Sequence, residues 1–176
     1  MGIPYLKMAN TQAFKLVEKE LRQLFIKKHK AKLISCGRIL GMEFDLVAYS
    51  EEKKCLYIGE ITASGYYGNQ GKFHIGGARK LAESFSKCYL IKNNIENAGI
   101  EIRRSNPGLK WKKVGCYFII PKGSEFITAL GYRKKLLEAG IMNLEEYNLS
   151  AEMQDVLEKA LKESREEQKL QKDRIN

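Results

Sequence analysis

Gly41-Met-Glu-Phe-Asp45-Leu-Val-Ala-Tyr-Ser50 is followed by Glu-Glu-Lys-Lys54 and then by Cys55-Leu-Tyr-Ile-Gly-Glu60-Ile-Thr62. Two apolar, β-prone runs joined by a short charged turn are the signature of a hairpin. Side chains alternate faces along a strand, so Glu43, Asp45, Val47 and Tyr49 are expected on one face. In the second run Ile58, Glu60 and Thr62 share a face. With the turn centred between Glu52 and Lys53, Asp45 falls opposite Glu60. Opposed side chains have Cβ atoms about 5 Å apart. Two like charges that close destabilise a sheet unless a cation or a proton lies between them. This misfit is the main functional clue in the chain.

The 176 residues are enough for one domain with a substantial core. A hydrophobic content of 44% describes a globular chain rather than a disordered one. Net charge is +10 and unevenly placed: residues 151–176 hold six Lys/Arg against seven Asp/Glu, leaving the first 150 residues at +11. A field of that sign favours a polyanion, nucleic acid first. Cys36, Cys55, Cys88 and Cys116 are scattered without a CxxC pair, so no zinc site is signalled and they read as small apolar fillers. No secretory signal and no run of about 18 apolar residues are present, which gives a cytoplasmic expectation with no membrane partner.

Taken in order, the spacing predicts a first helix from about Asn10 or Thr11, with Phe14, Val17, Leu21, Leu24 and Phe25 as its core stripe. Lys27, Lys28, His29, Lys30 and Lys32 follow, either a grip for phosphates or the favourable cationic end of a helix, with His29 read as a surface residue. Leu33–Leu40 reads as a first strand kinked at Gly37. Residues 63–72 carry three glycines and the pair Tyr66 and Tyr67, which can stack on bases or pack on their own loop. A long helix is expected from about Phe73. Lys72, His74, Arg79 and Lys80 cluster around its start as phosphate contacts. Asn97–Lys113 reads as irregular and basic, with Arg103, Arg104, Lys110, Lys112 and Lys113 around an Asn-Pro-Gly turn. Trp111 among these cations either serves a nucleic-acid surface or anchors the loop. Val114–Ile120 is a strong strand, Ser124 to about Ala139 a helix, and 150–172 a last helix capped by Ser150. The division expected is 1–148 as the main domain and 149–176 as a helical extension.

The hairpin resembles the core of the PD-(D/E)XK, or restriction-endonuclease-like, nuclease superfamily. The residues that carry the likeness are Gly41 to Ala48, the turn, and Tyr57-Ile-Gly-Glu60-Ile-Thr62. The resemblance implies an α/β fold with a central mixed β-sheet flanked by helices, plus extra C-terminal helices here. It implies that Asp45 and Glu60 hold Mg²⁺, with Mn²⁺ as a substitute, and that the carbonyl of Ile61 completes the ligand set. Glu18 of the first helix is the candidate that points at the metal, and Glu43 lies about 6.7 Å along the strand from Asp45. Phe44 stands where the motif name has Pro. Thr62 stands where the family has its catalytic lysine, and a threonine carries no charge and is a poor base. Related nucleases can supply the lysine from a following helix, so Lys72 and Lys80 are the candidates to replace it.

Two functions from different classes follow. One is a Mg²⁺-dependent nuclease acting on DNA, possible as a homodimer. The other is a non-catalytic nucleic-acid-binding or scaffold protein of the same fold, in which an ion pair between the acids and a nearby Lys or Arg79 would remove the need for a metal.

Overall fold

The charged turn Glu51–Lys54 joins two antiparallel strands, β2 (Leu46–Ser50) and β3 (Cys55–Ile61), in the expected register. Leu46 pairs with Gly59, Val47 with Ile58 and Ala48 with Tyr57. Asp45 and Glu60 therefore stand level, one step beyond the last paired residues. The computed structural model describes residues 4–63, 75–123 and 130–173.

Around this hairpin lie α1 (Pro4–His29), β1 (Lys32–Leu33), α2 (Ile75–Asn93), α3 (Ile95–Ser105) and β4 (Lys113–Pro121). A 3-10 turn, Gly131–Lys134, then runs into α4 (Lys135–Glu138), and β5 (Asn143–Tyr147) and α5 (Ala151–Asp173) end the chain. The five strands form one mixed sheet in the order β1-β2-β3-β4-β5. The first three make an antiparallel meander, while β3–β4 and β4–β5 are parallel. Parallel strands need cover on both faces. One face packs Leu56, Ile58, Cys116, Phe118 and Ile120 against Leu81, Cys88, Ile91, Ala98 and Ile102 of α2 and α3. The other packs Leu46, Ala48, Tyr57, Ile61 and Ile119 against Val17, Leu21 and Phe25 of α1 and Leu157 of α5. The first turns of α5 thus share the core of the sheet, and the chain does not divide cleanly at residue 148. Ser150 caps α5, its Oγ accepting from the Met153 N–H at 3.3 Å.

Several elements differ from the sequence expectation. Helix α1 begins at Pro4, ahead of Asn10 and Thr11, because proline suits a first helical turn and nothing after it breaks the helix. The first strand shrinks to Lys32–Leu33. The stretch read as irregular holds α3, whose Ala98, Gly99 and Ile102 are buried at helical spacing. Gly99 lets the Trp111 ring lie close: a Cβ there would meet the ring at 3.2 Å. Trp111 therefore anchors its loop, with Arg103 stacked over it at 4.5 Å. Strand β5 was not anticipated. Nor was the burial of His29, which stacks on Phe25 at 4.2 Å and pairs its Nε2 with Glu145 Oε1 at 2.8 Å. The expected helix from Ser124 is described only from residue 130 onward, as the short 3-10 turn and α4. All four cysteines are free thiols, with Cys88 and Cys116 buried. Among the described residues no helix is long and apolar enough to cross a membrane.

The parallel contact between β3 and β4 depends on a glycine one residue before Glu60. A Cβ on Gly59 would lie 2.8 Å from the Tyr117 carbonyl oxygen, a backbone atom that cannot swing away. Gly59→Ala is expected to destabilise the fold by about 1–3 kcal/mol, the usual cost of overpacking. Gly37→Ala, with nothing within 4 Å of the added methyl, is the control. Urea unfolding of both variants reads this, and equal midpoints would contradict it.

Candidate active site

The strand ladder between β2 and β3 stops at Leu46–Gly59, and the Asp45 carboxylate takes over from it. Its Oδ2 accepts the Ile61 N–H at 3.0 Å, a bond that a paired strand residue would otherwise make. The Asp45 backbone is held from the opposite helix, where Arg22 Nε donates to its carbonyl at 2.9 Å. Upstream, Leu40 and Gly41 both have positive φ, 52° and 75°, in a tight turn closed by two hydrogen bonds between Ile39 and Met42. This turn, absent from the sequence expectation, ends the strand pattern early. Glu43 consequently lies outside β2. Its exposed carboxylate pairs with Arg38 at 3.0 Å.

Lys80 comes in from α2. Its Nζ donates to Asp45 Oδ2 at 3.0 Å and to the Ile61 carbonyl at 2.5 Å. Two of the three oxygens expected to hold a cation are thus served by one ammonium group. Seven residues on, about two helical turns, Lys87 does the same for the other acid. It donates to Glu60 Oε1 at 3.0 Å and to the Glu43 carbonyl at 3.0 Å, and pairs with Glu83 at 3.2 Å. Three acceptors match the three N–H bonds of an ammonium group, so Lys87 is a fixed positive charge. The sequence reading missed it, although its helical spacing from Lys80 was available as a signal.

The two carboxyls hydrogen-bond each other and respond in opposite ways. Burial alone would raise Asp45, but the Ile61 N–H and the Lys80 charge outweigh it and hold the carboxyl below its ordinary range. Glu60 is 5% exposed. Burial first, and the Asp45 charge second, push its pKa up to about 7 despite Lys87. Glu18 on α1 stands close enough to feel both Asp45 and Lys80, and accepts the Ala63 N–H. Burial is the main reason its pKa is raised. Glu18, Asp45, Glu60, Ile61 and Lys80 therefore converge at one end of the sheet. A cleft of about 440 Å³ opens beside them, lined by Glu60, Arg79, Lys80 and Glu83.

Thr62 is buried at 2% exposure, and its N–H continues the ladder to the Ile119 carbonyl at 3.0 Å. Lys28 pairs with Glu145 at 3.3 Å and Lys30 with Glu52 at 3.0 Å. Lys27, Arg103, Arg104, Lys110, Lys112 and Lys113 are exposed. Tyr66, Tyr67, Lys72 and His74 lie outside the described residues.

The oxygens of Asp45, Glu60 and Ile61 are a hard donor set of the kind Mg²⁺ accepts. In this structure two ammonium groups, Lys80 and Lys87, contact these oxygens. Among the described residues no three His, Cys, Asp or Glu side chains group into a metal cage. Any ion held here would rest on two carboxylates and a backbone carbonyl, and Lys80 would have to yield its place beside Asp45. Comparison with family models, with curated proteins and with solved structures returns no match.

The raised Glu60 carboxyl sets a sign for stability against pH. The folded chain binds this proton more tightly than the unfolded chain, whose carboxyl titrates near 4.5. Its contribution is full below about pH 4.5 and is lost as pH rises toward 7. The slope approaches one proton, at most about 1.4 kcal/mol per pH unit. Chemical denaturation from pH 5 to 7 should show wild type losing stability relative to Glu60→Gln. Parallel profiles for the two proteins would contradict it.

Proposed function

We propose that this chain is a metal-dependent nuclease of the restriction-endonuclease-like type that hydrolyses phosphodiester bonds in DNA. The observation that carries the reading is the Lys80 ammonium, delivered from α2 to Asp45 Oδ2 at 3.0 Å and to the Ile61 carbonyl at 2.5 Å. It supplies, from the helix after the hairpin, the positive charge that Thr62 lacks. An antiparallel meander followed by a parallel strand after the helices supports the same fold type.

The carboxylates of Asp45 and Glu60 and the carbonyl of Ile61 would hold Mg²⁺, or Mn²⁺ in its place. A metal held there would lower the pKa of a coordinated water and offset charge on the scissile phosphate. Lys80, which lines the cleft, would give up Asp45 Oδ2 and the Ile61 carbonyl to the ion and can then stabilise a phosphate oxygen or the attacking water. Arg79, exposed on the cleft wall, contacts the DNA backbone. Lys87 fixes the direction of the Glu60 carboxyl. Glu18 adds a third carboxyl on the α1 side, its pKa raised chiefly by burial.

A second reading has its own observation. Each acid already has an ammonium partner, Lys80 for Asp45 and Lys87 for Glu60, which favours a non-catalytic nucleic-acid-binding protein of the same fold. Incubating plasmid and linear DNA with Mg²⁺ or Mn²⁺ separates the two. The nuclease reading expects nicking or linearisation by wild type, and losses of about 10²-fold or more for Asp45→Asn and Lys80→Met. Intact DNA in every wild-type reaction, with a melting temperature that added Mn²⁺ leaves unmoved, would overturn it in favour of the second.

A further inference from the structure

Lysines from three separated segments meet at the end of the sheet away from the acid pair. Lys30 and Lys32 flank the exit from α1 into β1, Lys53 and Lys54 complete the β2–β3 turn, and Lys110, Lys112 and Lys113 lead into β4. Backbone bonds lock these segments together. The Lys54 carbonyl accepts from the N–H of Lys112 at 2.8 Å and of Lys113 at 3.3 Å. The Tyr49 hydroxyl donates to the Lys110 carbonyl at 2.6 Å. Lys32 pairs in register with Tyr49, which brings β1 to the same edge.

The three segments carry seven lysines and two acids, Glu51 and Glu52. Both acids are already matched, Glu51 by Lys54 and Glu52 by Lys30 at 3.0 Å. Five positive charges remain, crowded by folding onto one end of the molecule. A groove of about 410 Å³ runs between the turn and the Pro107–Lys110 loop, lined by Tyr49, Glu51, Lys54 and Lys110 among others. Six residue steps along β3 take the chain from Lys54 to Glu60, about 20 Å at strand rise, so the two ends cannot share a phosphate.

We propose that this lysine end is a nucleic-acid-binding surface in its own right, gripping the phosphate backbone without sequence preference and without metal. Concentrated like charge with little acidic company is what release of counterions from a nucleic-acid backbone rewards. Leu33 is the one exposed large apolar side chain on the three segments, so the surface lacks the apolar face with which a protein enters a lipid interface. The surface does not depend on the acid pair or on hydrolysis there.

The test is fluorescence anisotropy of a labelled duplex of about 20 base pairs in EDTA, between about 50 and 200 mM salt. A variant carrying Lys53→Glu, Lys110→Glu and Lys112→Glu changes only exposed side chains. A charge-matched control carries Lys135→Glu, Lys159→Glu and Lys162→Glu, also exposed and remote in sequence. The lysine-end variant is expected to bind about tenfold or more weaker, with a salt slope lower by about two to three, and the control less than about threefold weaker. Equal losses in variant and control, or no loss in either, would overturn the proposal. So would a variant that keeps DNA binding but loses attachment to phosphatidylserine vesicles. Failure of DNA cleavage leaves this outcome untouched, because no metal or hydrolysis enters the measurement.

Discussion

One carboxylate oxygen, Asp45 Oδ2, holds the end of the hairpin together. It receives the Ile61 N–H where the strand ladder has run out, and the Lys80 ammonium where α2 passes over the sheet. Those two bonds join β2, β3 and α2 at a point where the backbone would otherwise splay. They also leave an anion half-buried, since the Asp45 side chain is 33% exposed. A half-buried anion persists only when donors or cations surround it. Arg22 on the carbonyl, Lys80 on the carboxylate and the Ile61 amide meet that condition.

The neighbouring Glu60 is held less well. It lies deeper, feels Asp45 across the strands, and retains its proton up to about pH 7 even with Lys87 beside it. Burial and the Asp45 charge thus outweigh the Lys87 ammonium at this carboxyl. The stripe of Lys80, Glu83 and Lys87 along α2 reads as the helix's answer to the pair of acids on β2 and β3. At the other end of the same strands, three segments bring together seven lysines and two acids.

The register of the hairpin was legible because four charged residues can only be a turn between two apolar runs, and its centre fixes which residues meet. The opposition of Asp45 and Glu60 follows from that centre alone. Lys80 was legible as one of two replacements for the lysine that Thr62 lacks. Glu43 was read as part of the strand because the left-handed φ of 52° at Leu40 is a conformation that no local signal at a leucine announces. Helix α3 was hidden by Asn93, Asn94 and the Asn-Pro-Gly turn, although Ile95, Ala98 and Ile102 keep helical spacing. His29 was hidden differently: its burial depends on Phe25, Tyr57, Tyr117 and Glu145, which come from four elements. Tertiary partners of that kind leave no mark on the sequence around the residue. The mixed sheet flanked by helices was expected only through the family resemblance, while β5, with two glutamates in five residues, did not resemble a strand at all.

The central claim is that the oxygens of Asp45, Glu60 and Ile61 together form a cation site. Substoichiometric Mn²⁺ added to isotope-labelled protein tests it directly, because the ion broadens the amide resonances nearest to it. The account predicts that Glu60, Ile61 and Thr62 broaden first and that Asp45→Asn abolishes the effect. Broadening centred instead on Glu145 or on the Glu51–Glu52 turn, or none at all, would contradict it.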